Sequence, residues 1–288
     1  MLFYNSYFPS AHLRSVVARY MIIIDQRKHA EWQQMVIVPN GLPGLGFSIG
    51  EQFRYFNAEQ QEEHQVSCGN VIGIHNCNYT AKWRDPIDFF VIVFKPLGLY
   101  QLLQADMREI RNNLTHFRLM GIKESEWICD QLRKTASPER KIRFIEQWLE
   151  RKLTGKPPAT GLTEQATRTI IEQKGLVLVS ELSRQFNVNR KYLERHFSLE
   201  LGLSPKEFAG IIRFNYLSSL LLEQAISWKE LTYLGRFHDQ SHLIKHFNRV
   251  TGLTPGAFRQ MIDEHPEARF VKRHNVYTLV LNDAEEPV

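Results

Sequence analysis

Histidine and cysteine are the residues in this 288-residue sequence with which metal or nucleophilic chemistry would begin. His64 and His75 fall near Cys68, Cys77 and several acidic residues. A metal site in a β-barrel asks for something like His-x-His with a Glu and a later His, and that spacing is missing, so no metal is expected there. His238, His242 and His246 recur every fourth residue, a spacing that places ligands on one helix face. They belong to a longer repeated pattern, however, in which packing or contact with a phosphate is the expected role. There is no G-x-S-x-G, Walker loop, G-x-G-x-x-G or H-E-x-x-H. Neither an enzyme nor a cofactor is therefore expected. Cys68, Cys77 and Cys129 show no paired framework and no C-x-x-C, as expected of thiols in a reducing cytoplasm. Trp32, Trp83, Trp127 and Trp148 are expected in cores rather than in a ligand cage.

The repeated pattern has a period of 239 − 189 = 50 residues. Asn189 to Phe208 aligns without gaps to Asp239 to Phe258, with Leu193/Leu243, His196/His246, Phe197/Phe247, Gly202/Gly252, Leu203/Leu253, Pro205/Pro255 and Phe208/Phe258 identical. Asn189 and Asp239 stand where an N-cap side chain accepts from free amides of a first turn. Leu193 with Phe197, and Leu243 with Phe247, bury one face. Gly202 and Gly252 suit the left-handed position that ends a helix, and Ser204-Pro205 and Thr254-Pro255 start the next one.

A shorter helix is expected before each, over Val179–Phe186 and Trp228–Gly235, with Ser183 and Thr232 as small residues at the crossing. Short helix, tight turn and a second helix with a polar outer face make a helix-turn-helix. Two copies in one module suit entry into successive major-groove segments about 34 Å apart. The competing reading is an αα-repeat interaction protein that binds no DNA. Between the copies, Ile211–Glu223 reads as a helix with Ile212, Tyr216, Leu217, Leu220 and Leu221 on its apolar side.

Upstream, two prolines and two glycines in Leu153–Gly161 mark a linker. Pro138–Leu153 reads as an amphipathic helix capped by Ser137, with Ile142, Ile145, Trp148 and Leu149 on its apolar face. Residues 30–100 read mainly as strands: 31–38 before the turn at Pro39-Asn40-Gly41, then 44–50, 52–57, 71–80 and the buried run 88–94. The expected class is α+β, an N-terminal β-rich barrel or sandwich with a closing helix followed by an all-α tandem helix-turn-helix domain. The expected division is 1–155 as a regulatory or dimerisation domain, 156–162 as linker, 163–265 as the DNA-binding domain and 266–288 as a tail. The DNA-binding domain is expected to fold alone, and Ile142, Ile145 and Trp148 are candidates for pairing two chains unless the β-domain encloses a ligand cavity.

A hydrophobic content of 43% is that of a soluble globular protein. The apolar run 20–24 stops at Asp25, far short of a membrane span, and the N-terminal MLFYNSYFPSAHL lacks the pattern of a signal peptide, so a cytoplasmic, nucleoid-associated protein is expected. The net charge of +5 does not mark the DNA-binding segment, because residues 160–265 hold only 13 Lys and Arg against 11 Asp and Glu.

From Asp239 to Arg259, through D-Q-S-H, the F-x-R element and G-x-T-P, the sequence resembles the AraC/XylS family of bacterial transcription regulators. The resemblance covers about 163–262 and implies seven helices and promoter binding. Residues 1–155 resemble more weakly, through Val38–Gly41, Phe90–Leu103 and Pro138–Arg140, a cupin-like domain attached to some of these regulators. By this resemblance, Lys191, Glu194 and Arg195 reach base edges in the first unit, and Gln240, Ser241 and Lys245 in the second. Arg and Lys suit guanine, Gln adenine and Glu cytosine. Arg190, Asn248 and Arg249 are expected on phosphates. Ile244 meets a thymine methyl or packs on a neighbouring helix. Arg236 replaces the usual turn glycine, with Asn187 as its counterpart, so distortion of the second turn is expected, with Gly235 absorbing the bend. The implied partners are double-stranded promoter DNA, RNA polymerase if the protein activates, a small-molecule effector and a second copy of the chain. The alternative is a cupin-type enzyme fused to a DNA-targeting module.

Overall fold

The computed structural model describes residues 2–57, 62–66, 68–158, 161–223 and 226–264; the expected tail 266–288 and part of the linker lie outside them. The strands are β1 (Phe3–Tyr7), β2 (Val17–Asp25), β3 (Gln33–Ile37), β4 (Gly44–Ser48), β5 (Phe53–Asn57), β6 (Glu62–Val66), β7 (Asn70–Ile72), β8 (Tyr79–Trp83), β9 (Ile87–Phe94) and β10 (Leu114–His116). They form two antiparallel sheets, ordered β1-β2-β9-β4-β7-β10 and β3-β8-β5-β6. The result is an open sandwich and not a closed barrel.

β2 and β9 are nearly continuous apolar runs because both of their faces are covered. Tyr20, Ile22, Phe90, Ile92 and Phe94 point to the helical layer, while Met21, Ile23, Phe89, Val91 and Val93 point to the second sheet. The pairing Ile22↔Phe90 keeps the two sets in register. The helices of this half are α1 (Gly98–Leu103), α2 (Ser125–Arg133) and α3 (Pro138–Leu153). On α3, Ile145, Trp148 and Leu149 are buried in the core with Tyr20 and Phe90, and Ile142 packs against it. The face expected to pair two chains is therefore spent on the chain's own sheet. Ser137 directs its hydroxyl to Glu139 and makes no side-chain bond to the helix backbone.

Two further expectations are corrected. Cys68 and Cys129, 61 residues apart in sequence, form a disulfide with Cα atoms 6.3 Å apart, and Cys77 is free. Such pairing follows from three-dimensional proximity, which cysteine spacing along the chain does not report. Trp83 and Trp148 are core residues, but Trp32 and Trp127 are exposed, the first beneath the Arg54 guanidinium and the second against Phe144.

The helical half comprises α4 (Leu162–Glu172), α5 (Val179–Gln185), α6 (Arg190–Leu201), α7 (Pro205–Glu223), α8 (Trp228–Leu234), α9 (Gln240–Thr251) and α10 (Pro255–Glu264). α7 runs unbroken through Gly210, joining what the sequence suggested as two pieces.

The halves share cores. Ile74 and Leu97 from the β-half cluster with Leu193, Phe197 and Phe208, and Val38 clusters with Phe214, Phe247 and Phe258. The segment 71–80, read as one strand, breaks after Ile72 so that its middle can reach the helical half. Gly41 takes φ +77°, and a Cβ there would lie 3.1 Å from the Phe208 ring. Glu207 accepts from Arg111 Nη2 at 2.6 Å and from Asn76 Nδ2 at 3.1 Å.

Candidate nucleic-acid interface

The two repeat units begin and end alike. Asn189 Oδ1 accepts from Lys191 N at 2.8 Å and starts α6; Asp239 Oδ1 accepts from His242 N at 2.9 Å and starts α9. Gly202 and Gly252 end these helices at φ +77° and +74°. The Ser204 hydroxyl then accepts from Glu207 N, and the Thr254 hydroxyl from Ala257 N, to start α7 and α10. In the preceding short helices, Ser183 and Thr232 donate back to the carbonyls of Val179 and Trp228.

The turns match too, against expectation. Asn187 has φ +49° and Arg236 φ +50°, while Gly235 stays in the right-handed region at φ −77°. Gly235 does not absorb the bend. Arg236 takes the left-handed conformation itself, at a cost of about 1 kcal/mol, and its Nη1 donates to the Leu176 carbonyl at 3.0 Å.

Leu193, Phe197 and Leu201 on α6, and Leu243, His246, Phe247, Val250 and Thr251 on α9, are buried. The opposite faces carry the expected set. Arg190, Lys191 and Arg195 are exposed on α6 with Glu194 half-buried; Gln240, Ser241, Lys245, Asn248 and Arg249 are exposed on α9. Ile244 is 39% exposed, so it is not packed away on a neighbouring helix. Arg190 Nε donates to Glu194 Oε1 at 2.8 Å, an i,i+4 pair that holds both side chains on the outer face. The Arg195 guanidinium lies 5.5 Å from the centre of the Tyr192 ring.

The histidines divide differently from their spacing. His238, Asp239 and His242 bring ligand-type atoms within 4.8 Å of one another on the exposed start of α9. His246 is turned inward, where its Nδ1 accepts from Arg249 Nη2 at 3.1 Å. Burial, and then the charges of Arg213 and Arg249, push His246 down to about 3, so it is neutral.

Residues 182–261 match the family described as "Helix-turn-helix domain", and residues 5–116 match a domain of unknown function, DUF6597. The C-terminal module is an AraC-type helix-turn-helix domain. A stretch of 82 residues is 28% identical to the uncharacterised HTH-type transcriptional regulator YtdP of Bacillus subtilis (strain 168), covering 28% of this chain and 11% of that protein. The structure of ToxT from Vibrio cholerae O395 is similar at a TM-score of 0.45 and 11% identity, over 84% of this chain and 97% of that one. The C-terminal domain of AraT, a response regulator from Geobacillus stearothermophilus, is similar at a TM-score of 0.34 and 21% identity, over 36% of this chain and 88% of that one.

Two residues of the AraC-type domain escaped the sequence reading. Tyr192 is 44% exposed beside Arg195, and its signal was an aromatic at the repeat position where the second unit has His242. Arg213 lies on α7, outside both α6 and α9, and nothing in the repeat pointed to it.

Proposed function

We propose that this chain is a sequence-specific DNA-binding transcription regulator of the AraC/XylS type, in which 163–265 binds promoter DNA and 1–155 senses a small effector. The observation that carries the reading is the equivalence of α6 and α9, which share caps, stops and buried positions and each present a polar outer face. In this reading Lys191, Glu194 and Arg195 reach base edges from α6, and Gln240, Ser241 and Lys245 from α9, with Ile244 against a thymine methyl. Arg190, Asn248 and Arg249 face phosphates.

The effector role is supported by an apolar cavity of about 90 Å³ between the sheets, lined by residues including Met21, Phe53, Trp83 and Phe89. Arg19 and Leu42 line both this cavity and a cleft of about 690 Å³ that separates the sandwich from α4. A molecule bound there touches both halves, which is what coupling to DNA binding needs.

The test is selection from a random duplex pool by the full-length chain. A bipartite motif with half-sites about 10 base pairs apart, bound with an affinity that falls steeply with salt, is the expected result. Recovery of no motif above random sequence would overturn the reading and favour an αα-repeat interaction protein.

A further inference from the structure

Between the two helix-turn-helix units, two guanidinium groups face one corner built around Phe237 and His246. Arg213 comes from α7 and Arg249 from the end of α9. Burial, and then the charge of Arg249, lowers the pKa of Arg213, and among the described residues neither Arg takes part in an ion pair. Arg213 stacks its guanidinium 4.3 Å from the centre of the Phe237 ring, and its buried Nε has no hydrogen-bond partner. Arg249 reaches back over α7, so that its Nη2 would lie 3.2 Å from a Cβ added at Gly210.

The position is a junction. A Cβ at Gly175, in the turn between α4 and α5, would touch the backbone of Ala209 and Arg213. The turn leading into the first unit therefore abuts the Arg213 backbone, while Phe237 in the turn of the second unit stacks on its guanidinium. His246 sits in the same corner at 6% exposure, and its Nδ1 receives the Arg249 hydrogen bond. A charged imidazole could not accept that bond. Burial, and then the two guanidiniums, keep the ring neutral, so it serves as an acceptor that fixes where Arg249 points.

Two like charges in a half-buried corner repel, and an arriving anion relieves the repulsion. We infer that Arg213 and Arg249 form a clamp for one DNA backbone phosphate lying between the two major-groove segments, with His246 as the positioning residue for Arg249. The inference rests on the proposed DNA-binding function and adds to it a contact that sets the spacing of the two units on the duplex.

The test uses the full-length chain and two duplexes, the one recovered by selection and a scrambled version. Arg213→Gln and Arg249→Gln are each expected to weaken both duplexes by a similar factor of about tenfold. Each should also lower the slope of log affinity against log salt by about 0.9, the loss of one phosphate contact. Replacing the phosphates between the half-sites one at a time with neutral methylphosphonates should identify a single position that weakens the wild type and has no further effect on either variant. His246→Asn should lower the salt slope as well, which a purely structural role in the core would not do. Should Arg213→Gln fail to fold, the exposed Arg249→Gln carries the test by itself. Unchanged slopes, or a methylphosphonate effect equal in wild type and Arg249→Gln, would overturn the clamp. Failure of the wild type to bind any duplex would instead overturn the DNA-binding reading.

Discussion

Asn187 and Arg236 occupy the same place in successive helix-turn-helix units and the same left-handed backbone, at φ +49° and +50°. Asparagine visits that region readily and arginine does not. The second turn thus keeps the geometry of the first at a local cost, offset in part by the Arg236 bond to the Leu176 carbonyl. Arg236→Gly is expected to change stability by no more than about 1 kcal/mol, since relief of strain and loss of the bond oppose each other. Arg236→Val keeps the strain, enlarges it with a β-branched side chain and loses the bond. It should destabilise by about 2 kcal/mol, measured by urea unfolding. Equal stability of the two variants would show that the turn is free to adopt another conformation.

The units themselves were legible in the sequence because each of their signals is local. Asn189, Asp239, Gly202, Gly252, Pro205 and Pro255 act on backbone groups within four residues of themselves, so their spacing reports their geometry directly. The β-half was legible only in pieces. β2 and β9 are paired across some 70 positions, and β1 joins them only through that pairing. The amphipathic pattern of α3 said that Ile145 and Trp148 are covered but could not say by what. Nothing local announces that Ile74 belongs to the core around Phe197, or that Cys68 meets Cys129.

Arg195 and Tyr192 make a prediction about specificity. Arg195 is exposed on the outer face of α6 and rests against the Tyr192 ring, which narrows the orientations of its guanidinium. Arg195→Ala should cost about 1–3 kcal/mol on the selected site and relax preference at one or two base pairs. Tyr192→Leu should move in the same direction by a smaller amount, because the arginine remains but is less confined. Binding to a panel of point-substituted duplexes at two salt concentrations separates the cases. Equal loss on every duplex for Arg195→Ala would assign that side chain to phosphate.

His75 and His246 predict the acid limb of stability. Burial pushes His75 down to about 4, against a hydrogen bond to the Gly73 carbonyl that acts the other way. Burial and the two neighbouring arginines push His246 down to about 3. Both values lie below the ordinary histidine value of about 6.5. Below about pH 6.5 the unfolded chain therefore takes up two protons that the folded chain refuses until about pH 4 at His75 and about pH 3 at His246. Stability should fall with pH across that window, and each histidine should add up to about 1.4 kcal/mol per pH unit near its lower end. Urea unfolding at several pH values in this range should give a shallower dependence for His75→Gln than for the wild type. An identical dependence would mean that His75 is protonated in the folded chain.

The shared cores predict that a change in the sandwich is felt in the DNA-binding domain. Val38 directly follows β3, but it clusters with Phe214, Phe247 and Phe258, three aromatic residues of α7, α9 and α10. Val38→Ala removes two methyl groups from a packed site and should destabilise by about 1–3 kcal/mol. The loss should appear as faster amide hydrogen exchange in α7 and α9, far along the chain from Val38, with strands β5 and β8 little changed. The same packing qualifies the independence that the linker composition suggests. A fragment spanning 160–265 leaves without their partners the surfaces that meet Val38, Ile74 and Leu97, and it loses the Glu207 bonds to Arg111 and Asn76. It should retain helices by circular dichroism and yet melt well below the helical half of the full chain. Adding Val38→Ala to the full chain should move its α7 and α9 exchange toward that of the fragment. If exchange in α7 and α9 were the same in wild type and Val38→Ala, the sandwich and the DNA-binding domain would be energetically separate. An effector in the sandwich cavity could not then reach the recognition helices by this route.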